Sequence, residues 1–363
     1  MSGRYFEYFW QDESMMRPRV YLDHNATTPL CDAARVAMCA AMDVVGNPSS
    51  VHAEGRAARA LIERARAQVA AALGADGAQI VFTSGATEAA SLALAGRDLA
   101  GAAVEHDAVR AWTRESLAVD ASGRVVISDP ASATLQLANS ETGVVQDLPE
   151  GLAVSDLTQG FGKLPFAFNW LGIEMGFVSA HKMGGPKGVG ALVMRRGTDL
   201  AAQLRGGGQE MGRRAGTENL IGIAGFGAAA EAAAKALADG VWNYVSVIRN
   251  ILEQALDAEV NKTIFVGKDA QRLPNTLCLA TPGWKAETQV MQMDLAGFAI
   301  SAGSACSSGK LRASGVLQAM GYEASVASGA VRVSLGPDTR EEDVLRFAEA
   351  WLKHYRRFAD RAA

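Results

Sequence analysis

Between residues 79 and 95 the chain changes character within one turn. An apolar run at 79–83 reads as a strand, Ser84-Gly85-Ala86-Thr87-Glu88 follows, and a helical pattern continues to about Ala95. A strand entering a helix through small residues points free backbone N–H groups and a positive dipole end at one spot, which suits a phosphate. Thr87 adds a hydroxyl donor. Taken alone, the pattern describes an ordinary strand-to-helix turn with an N-cap, so the rest of the chain has to decide.

The alternation recurs. Val20 to Leu22 is a short apolar stretch, strands are expected at 125–128, 134–137, 151–155, 176–179 and 190–195, and an Ala/Arg-rich helix is expected at 55–73 that Gly74 is placed to stop. Such a pattern argues for an α/β fold with a mostly parallel sheet. Beyond Trp242 the pattern changes to a long helix at 242–259, strands at 276–279 and 331–335, and a final helix. Thr339 and Glu342 suggest a capping box for that last helix, and Val344, Phe347, Ala348, Trp351, Leu352 and Tyr355 mark its apolar face. The expected division is a large α/β domain at 24–241 and a smaller α+β domain built from 1–23 and 242–363. Recognisable pattern begins only at Val20, so Met16 is an alternative start.

With 49% apolar residues the chain can bury a full core, and a net charge of −4 gives no basic footprint for nucleic acid. No uninterrupted apolar run reaches membrane-spanning length; the most apolar helical stretch, 224–238, carries Glu231 and Lys235. The reading is a cytoplasmic protein that binds neither membrane nor nucleic acid. Four cysteines, Cys31, Cys39, Cys278 and Cys306, form no CxxC pair, so no metal site is expected. Each defaults to a buried apolar thiol. Cys306 departs from that default because it sits among Ser, Gly and Ala with Lys310 and Arg312 nearby to favour a thiolate.

Three further positions carry chemistry. Lys182 follows an apolar strand and precedes Met-Gly-Gly-Pro-Lys-Gly188, a placement suited to Schiff-base formation; Lys187 reads as solvent-facing. Asp156 ends another apolar strand, where a buried carboxylate could keep a pyridine nitrogen protonated; its ordinary alternative is a helix N-cap. His106 could stack on a ring and move protons near neutral pH, although a single histidine is more often structural.

The order of these pieces resembles the cysteine desulfurase family of the class-V aminotransferase group. The matching stretches are Tyr21 to Thr28, Gly46 to His52, Phe82 to Glu88, Asn139 to Gly143, Asp156 to Gln159, Ser179 to Lys182, Gly206 to Glu210, Arg213 to Asn219 and Ser301 to Ser308. The resemblance implies a fold-type I pyridoxal-phosphate (PLP) enzyme with a mainly parallel sheet of the seven-stranded type. It implies that Lys182 bonds the cofactor, Asp156 pairs with the pyridine nitrogen, Gln159 contacts the phenolic oxygen and His106 stacks on the ring. Ala86, Thr87, Ser179 and His181 would hold the phosphate, and Thr217 would reach the phosphate of a neighbouring subunit in a homodimer. Arg332 would clamp the substrate carboxylate, with Asn139 also at the substrate.

The segment around Cys306 resembles the long catalytic loop of group I desulfurases. The implied reaction removes sulfur from L-cysteine, gives alanine and leaves a persulfide on Cys306 for an acceptor such as an iron–sulfur scaffold protein. The chain departs from the family pattern at Ser140, where a second asparagine is usual, and at Met211, where arginine is usual. Residues 95–139 and 143–156 are shorter than the family norm. Another class-V activity, such as selenocysteine lyase or a small-substrate aminotransferase, or a non-catalytic homologue, stays open at this point. His24 and His52 fall in family-like motifs near the expected pocket mouth but outside the catalytic set, and His354 reads as a surface residue.

Overall fold

The computed structural model describes residues 19–303 and 313–362. Cys306, Lys310 and Arg312 lie outside the described residues. Seven extended segments line up in the larger sheet: Gln79–Thr83, Gly190–Met194, Met175–Ser179, Val154–Asp156, 134–137, Ala100–Ala102 and Arg114–Leu117. Only Gly190–Met194 runs antiparallel to its neighbours. The sheet is therefore mainly parallel, as the alternating pattern predicts.

The expected strand at 134–137 is an extended run with single bridges. Its Thr134 N–H reaches the Ala100 carbonyl at 2.9 Å, and its Leu137 N–H reaches the Asp156 carbonyl at 2.8 Å. The expected strand at 125–128 does not form. Asp120 takes the N–H groups of Ser122 and Arg124 at 2.8 and 2.9 Å, folding a surface turn that leaves Val125 one bridge and Val126 exposed.

Helices cover both faces of this sheet. Ala53–Ala72 ends as the sequence predicts. Gly74 adopts φ +60°, its N–H bonds the Ala71 carbonyl, and the Ala75 N–H reaches back to the Ala70 carbonyl. These are the two bonds of a helix C-terminus closed by a left-handed glycine. Leu220–Ala238 lies against Ala53–Ala72 and Asp32–Met42. By length and composition alone this helix could cross a membrane, although Glu231 and Lys235 interrupt its apolar run, as the sequence shows. In the structure it buries Ile223, Phe226 and Ala230 in the main core, and Glu231 accepts a bond from Gln68 at 2.9 Å.

A second core surrounds an antiparallel sheet ordered Ser301–Ala302, Ala330–Ser334, Thr276–Ala280 and Ile264–Phe265. Helices Val241–Asp257, Ala286–Leu295 and Glu341–Ala362 supply its apolar cover, and every residue of the predicted face on the last helix is buried. The predicted capping box is not used: Thr339 accepts from the Gly336 N–H at 2.8 Å, and the Asp343 carboxylate takes the Arg340 N–H at 3.1 Å. A threonine two residues before the first helical residue serves the preceding turn instead. The N-terminal strand Val20–Tyr21 joins Phe298–Ala299, and Asp23 bridges to Ser334. The chain therefore enters through the second core before it reaches the first.

Of the described cysteines, Cys278 is buried as expected, and burial pushes its thiol well above the usual range. Cys39 is exposed, contrary to the default. Helix Asp32–Met42 turns Ala34 and Ala41 inward and leaves Cys39 on the outer face.

One buried ion pair fixes the strand that leads into the phosphate-like turn. The Arg66 guanidinium bonds both carboxylate oxygens of Glu210 at 2.8 and 2.9 Å and the Ile80 carbonyl at 2.7 Å. Glu210, whose backbone is left-handed at φ 47°, also accepts the Phe82 N–H at 2.9 Å. Glu210→Ala would leave the partly buried Arg66 charge with only the exposed Glu63 carboxylate at 3.3 Å as its partner. The expected cost is about 3–5 kcal/mol in denaturant-induced unfolding; a loss under about 1 kcal/mol would show that solvent reaches Arg66 and that the pair is dispensable.

Candidate active site

The C-terminal ends of three strands in the larger sheet open into one cavity of about 590 Å³. Ligands of open α/β sheets sit at these ends, and the volume suits a cofactor-sized molecule. Ala86, Thr87, His106, Asp156, Gln159, Ser179, His181 and Lys182 all line it, joined by Ala26, Thr27, Gln136, Ser140 and Phe177.

Each side chain is placed by local structure. Lys182 ends the single turn Ala180–Lys182 that follows strand Met175–Ser179. Its amine donates to the carbonyl oxygens of Asn25 and Ala26 at 2.7 and 2.9 Å. The segment 23–28 thus clasps the lysine, and the Thr28 N–H and hydroxyl hold the His181 and Lys182 carbonyls in return.

Asp156 accepts the Thr158 N–H at 2.8 Å. Burial pushes its carboxyl up, while Thr158 and the nearby His106 and Lys182 pull it down. Helix Ala86–Leu94 starts at Gly85 with no side-chain cap, so its first N–H groups face the cavity mouth unclaimed by a side chain. Gly190 makes this approach possible, because a Cβ there would lie 2.8 Å from the Gly85 main chain. Glu88 reaches back to the Ser84 N–H at 2.7 Å and pairs with Arg214 at 2.8 Å.

His106 has a structural task as well as a place on the wall. Its Nδ1 accepts the Ala108 N–H at 3.1 Å and caps Asp107–Arg110, which leaves the proton of the neutral ring on Nε2. Beneath it Glu105 is buried, bonded at one oxygen to the Gln136 N–H at 2.7 Å. Burial pushes Glu105 up to about 8. Burial and the neighbouring Lys182 push His181 down to about 4, so its ring is neutral at pH 7.

Three predicted residues do not line this cavity. Arg332 is buried behind Ser140, donating to the Ser140 carbonyl at 3.0 Å and to the Asp23 carboxylate at 2.7 Å. Asn139 spends its side chain on its own turn: Oδ1 takes the N–H groups of Glu141 and Thr142, and Nδ2 donates to the Val104 carbonyl. Thr217 borders a separate cavity with Arg214 and Glu218. His24 lies behind Lys182 on the wall of another cavity of about 290 Å³, and His52 caps helix Ala53–Ala72.

Two residues that the sequence reading passed over hold the site together. Asn25 donates to Ser334 Oγ, Thr276 Oγ1 and the Ser140 carbonyl, and its Oδ1 accepts from Asn275. Lys163 is buried and donates to Gln159 Oε1 at 2.8 Å and to Asn25 Oδ1 at 3.3 Å. The spacing of Asp156, Gln159 and Lys163 within an apolar stretch was the available signal.

The residues present fit pyridoxal phosphate. An uncapped helix N-terminus suits the phosphate, a lysine amine is held near a carboxylate that can pair with a ring nitrogen, and Thr158 Oγ1 is buried without a partner beside them.

A model of the aminotransferase class-V family matches residues 20–114 and 101–347. The chain is similar to a cysteine desulfurase of Cereibacter sphaeroides, 39% identical over 91% of this chain and 94% of that protein. It is similar to an IscS-like cysteine desulfurase of Mycobacterium tuberculosis, 34% identical over 89% of this chain and 93% of that protein. Among solved structures, a NifS-like protein from Rickettsia africae matches with a TM-score of 0.85 and 31% identity, covering 93% of this chain and 99% of that one.

The shifted carboxyl gives a stability prediction. Folded Glu105 keeps its proton up to about 8, whereas the unfolded chain releases it near 4.5. The folded state therefore binds more protons across this window, and stability falls as pH rises through it. Glu105→Gln removes that dependence. The variant is expected to gain about 1–3 kcal/mol relative to wild type between pH 5 and pH 8; parallel stability curves for the two proteins would show that Glu105 is ionised in the fold.

Proposed function

The chain belongs to the class-V aminotransferases, among their cysteine desulfurases, and from that premise we propose that it removes sulfur from L-cysteine with pyridoxal phosphate, yielding L-alanine and a persulfide. The observation that carries this reading is the cavity in which Lys182, Asp156, His106 and the helix N-terminus of Ala86–Leu94 converge.

Pyridoxal phosphate, when bound, supplies an electron sink next to the substrate amine. The rest is work for this chain's own residues. Lys182 would be the amine that holds the cofactor, and its Nζ is the base available for the substrate's α-proton. Asp156 would hold a proton on the pyridine nitrogen, and Gln159 would serve the phenolic oxygen. Ala86, Thr87, Ser179 and His181 would hold the phosphate; a neutral His181 presents one N–H and one acceptor. His106 would sit against the ring and assist proton transfer through Nε2.

Arg332 is the guanidinium for the substrate carboxylate. In this reading it exchanges part of its bonding to Asp23 and Ser140 for the substrate, a bidentate match suited to a carboxylate. Asn139 then serves the substrate side indirectly, by shaping the turn that carries Ser140.

Cys306 carries the sulfur. L-cysteine and the Cys306 thiol become alanine and a Cys306 persulfide: the carbon–sulfur bond breaks, a sulfur–sulfur bond forms, and the thiol's proton balances the new C–H. The reading places the enzyme in the cytoplasm as a homodimer. Thr217 on its separate cavity, with the exposed Met211 on the adjoining cavity that shares Glu210 and Glu218, supports a neighbouring subunit there. It assigns residues 24–241 to the cofactor domain, and 1–23 with 242–363 to the smaller one. The acceptor is a protein that takes a persulfide sulfur, such as an iron–sulfur scaffold.

Protein loaded with pyridoxal phosphate and given L-cysteine under reductant is expected to release alanine and sulfide in equal amounts. Cys306→Ala should lose roughly 100-fold or more in turnover while keeping the cofactor's absorbance. Undiminished persulfide formation by that variant would remove Cys306 from the role. A 2-oxo acid product would instead favour transamination.

A further inference from the structure

Lys163 has no role in the chemistry above, yet its position is costly. It lies four residues beyond Gln159, is 2% exposed, and forms no salt bridge among the described residues. Its amine donates to Gln159 Oε1 at 2.8 Å and to Asn25 Oδ1 at 3.3 Å. Burial, with the charges of Lys182 and Arg332, pushes it down to about 7. A lysine buried this way is expensive to keep unless it does something for a neighbouring site.

What it does follows from donor and acceptor bookkeeping. A primary amide has an accepting end and a donating end that differ little in shape, so its orientation is set by its partners. At Gln159 both ends are specified. The Asn25 carbonyl accepts from Nε2 at 3.0 Å, and the Lys163 amine donates to Oε1. A flipped amide would set an oxygen against the carbonyl and an N–H₂ against the Lys163 donor. Gln159 lines the cofactor cavity, and the donor it has left to offer there is its second N–H. The same Asn25 carbonyl receives the Lys182 amine at 2.7 Å, which ties the orientation of Gln159 to the placement of the lysine.

We propose that Lys163 is a positioning residue that fixes the Gln159 amide with an N–H toward the phenolic oxygen of bound pyridoxal phosphate. The proposal rests on the reading that this cofactor occupies the cavity with its phenolic oxygen at Gln159. It adds that the ring's electronic state depends on a side chain that touches neither the cofactor nor the substrate.

The test is a double-mutant cycle on the cofactor-loaded protein, read by the pH midpoint of the cofactor's visible absorbance. Lys163→Met keeps the volume and removes the donor; Gln159→Leu removes the amide. A lost N–H to an oxygen anion weakens the deprotonated form. Each single variant is therefore expected to raise the midpoint by about one pH unit, and the double variant should match Gln159→Leu alone. Additive shifts would overturn the proposal, because Lys163 would then act by its charge and not through Gln159. An unmoved midpoint in Lys163→Met would overturn it as well. So would a Lys163→Met protein that loses the cofactor under conditions where Gln159→Leu keeps it. Equal loss of cofactor in both, no worse in the double variant, supports it. If wild-type protein shows no cofactor band, the cofactor reading itself fails, an outcome separate from these.

Discussion

Asn25 is the point on which the site depends. Its backbone N–H and side-chain amide bond Ser334 and Thr276 of the smaller sheet, its Oδ1 receives Lys163 and Asn275, and its carbonyl receives Lys182 and Gln159. A single residue with one amide side chain thus joins the two cores and fixes two cavity-lining side chains. Its near-complete burial makes each of those bonds costly to break, since a stranded polar group has no water to replace its partner. The segment 23–28 is held to this course by Asp23, bonded to Ser301 and Arg332, and by Thr28 against the Lys182 turn. Lys182 is therefore placed from outside its own strand as much as from within it.

The electrostatics of the cavity follow from that arrangement. Lys182, Lys163 and Arg332 bring cationic groups close together, and burial with the charges of the other two lowers Lys163 to about 7. His181 and His24 are held neutral, both pushed down to about 4 by burial first. Asp156 and Glu105 are pushed the other way. Three cations gathered in a low-dielectric pocket favour an anionic occupant, because a phosphate adds countercharge to that of Asp23 and Asp156.

The parts of this site that end strands were legible in the sequence. Asp156, Ser179, Lys182 and the turn at 84–88 each follow an apolar run, and period and turn chemistry locate such positions. Gln159 came with Asp156 through the resemblance. The parts that depend on tertiary bonds were not legible. Nothing local distinguishes Asn25 from an ordinary loop asparagine, and Lys163 reads as a surface lysine until the Asn25 segment covers it. Segment 100–102, Ala-Gly-Ala, joins the sheet without any apolar alternation, because its neighbours at 133–134 and 114–117 decide its pairing. Asn139 was placed at the substrate by resemblance, whereas its oxygen accepts two N–H groups of its own turn. For Asn25, Lys163 and segment 100–102 a partner distant in sequence outweighed the local signal, whereas for Asn139 the turn itself claimed the side chain.

The central claim is that one particular lysine receives the cofactor although two lysine amines, those of Lys182 and the buried Lys163, lie beside Asn25. Borohydride reduction of the loaded protein, followed by peptide mapping, tests it directly. The account predicts a pyridoxyl group on Lys182 alone, at close to one per chain. Label on Lys163 or Lys187, or reduction that leaves Lys182 unmodified, would contradict it.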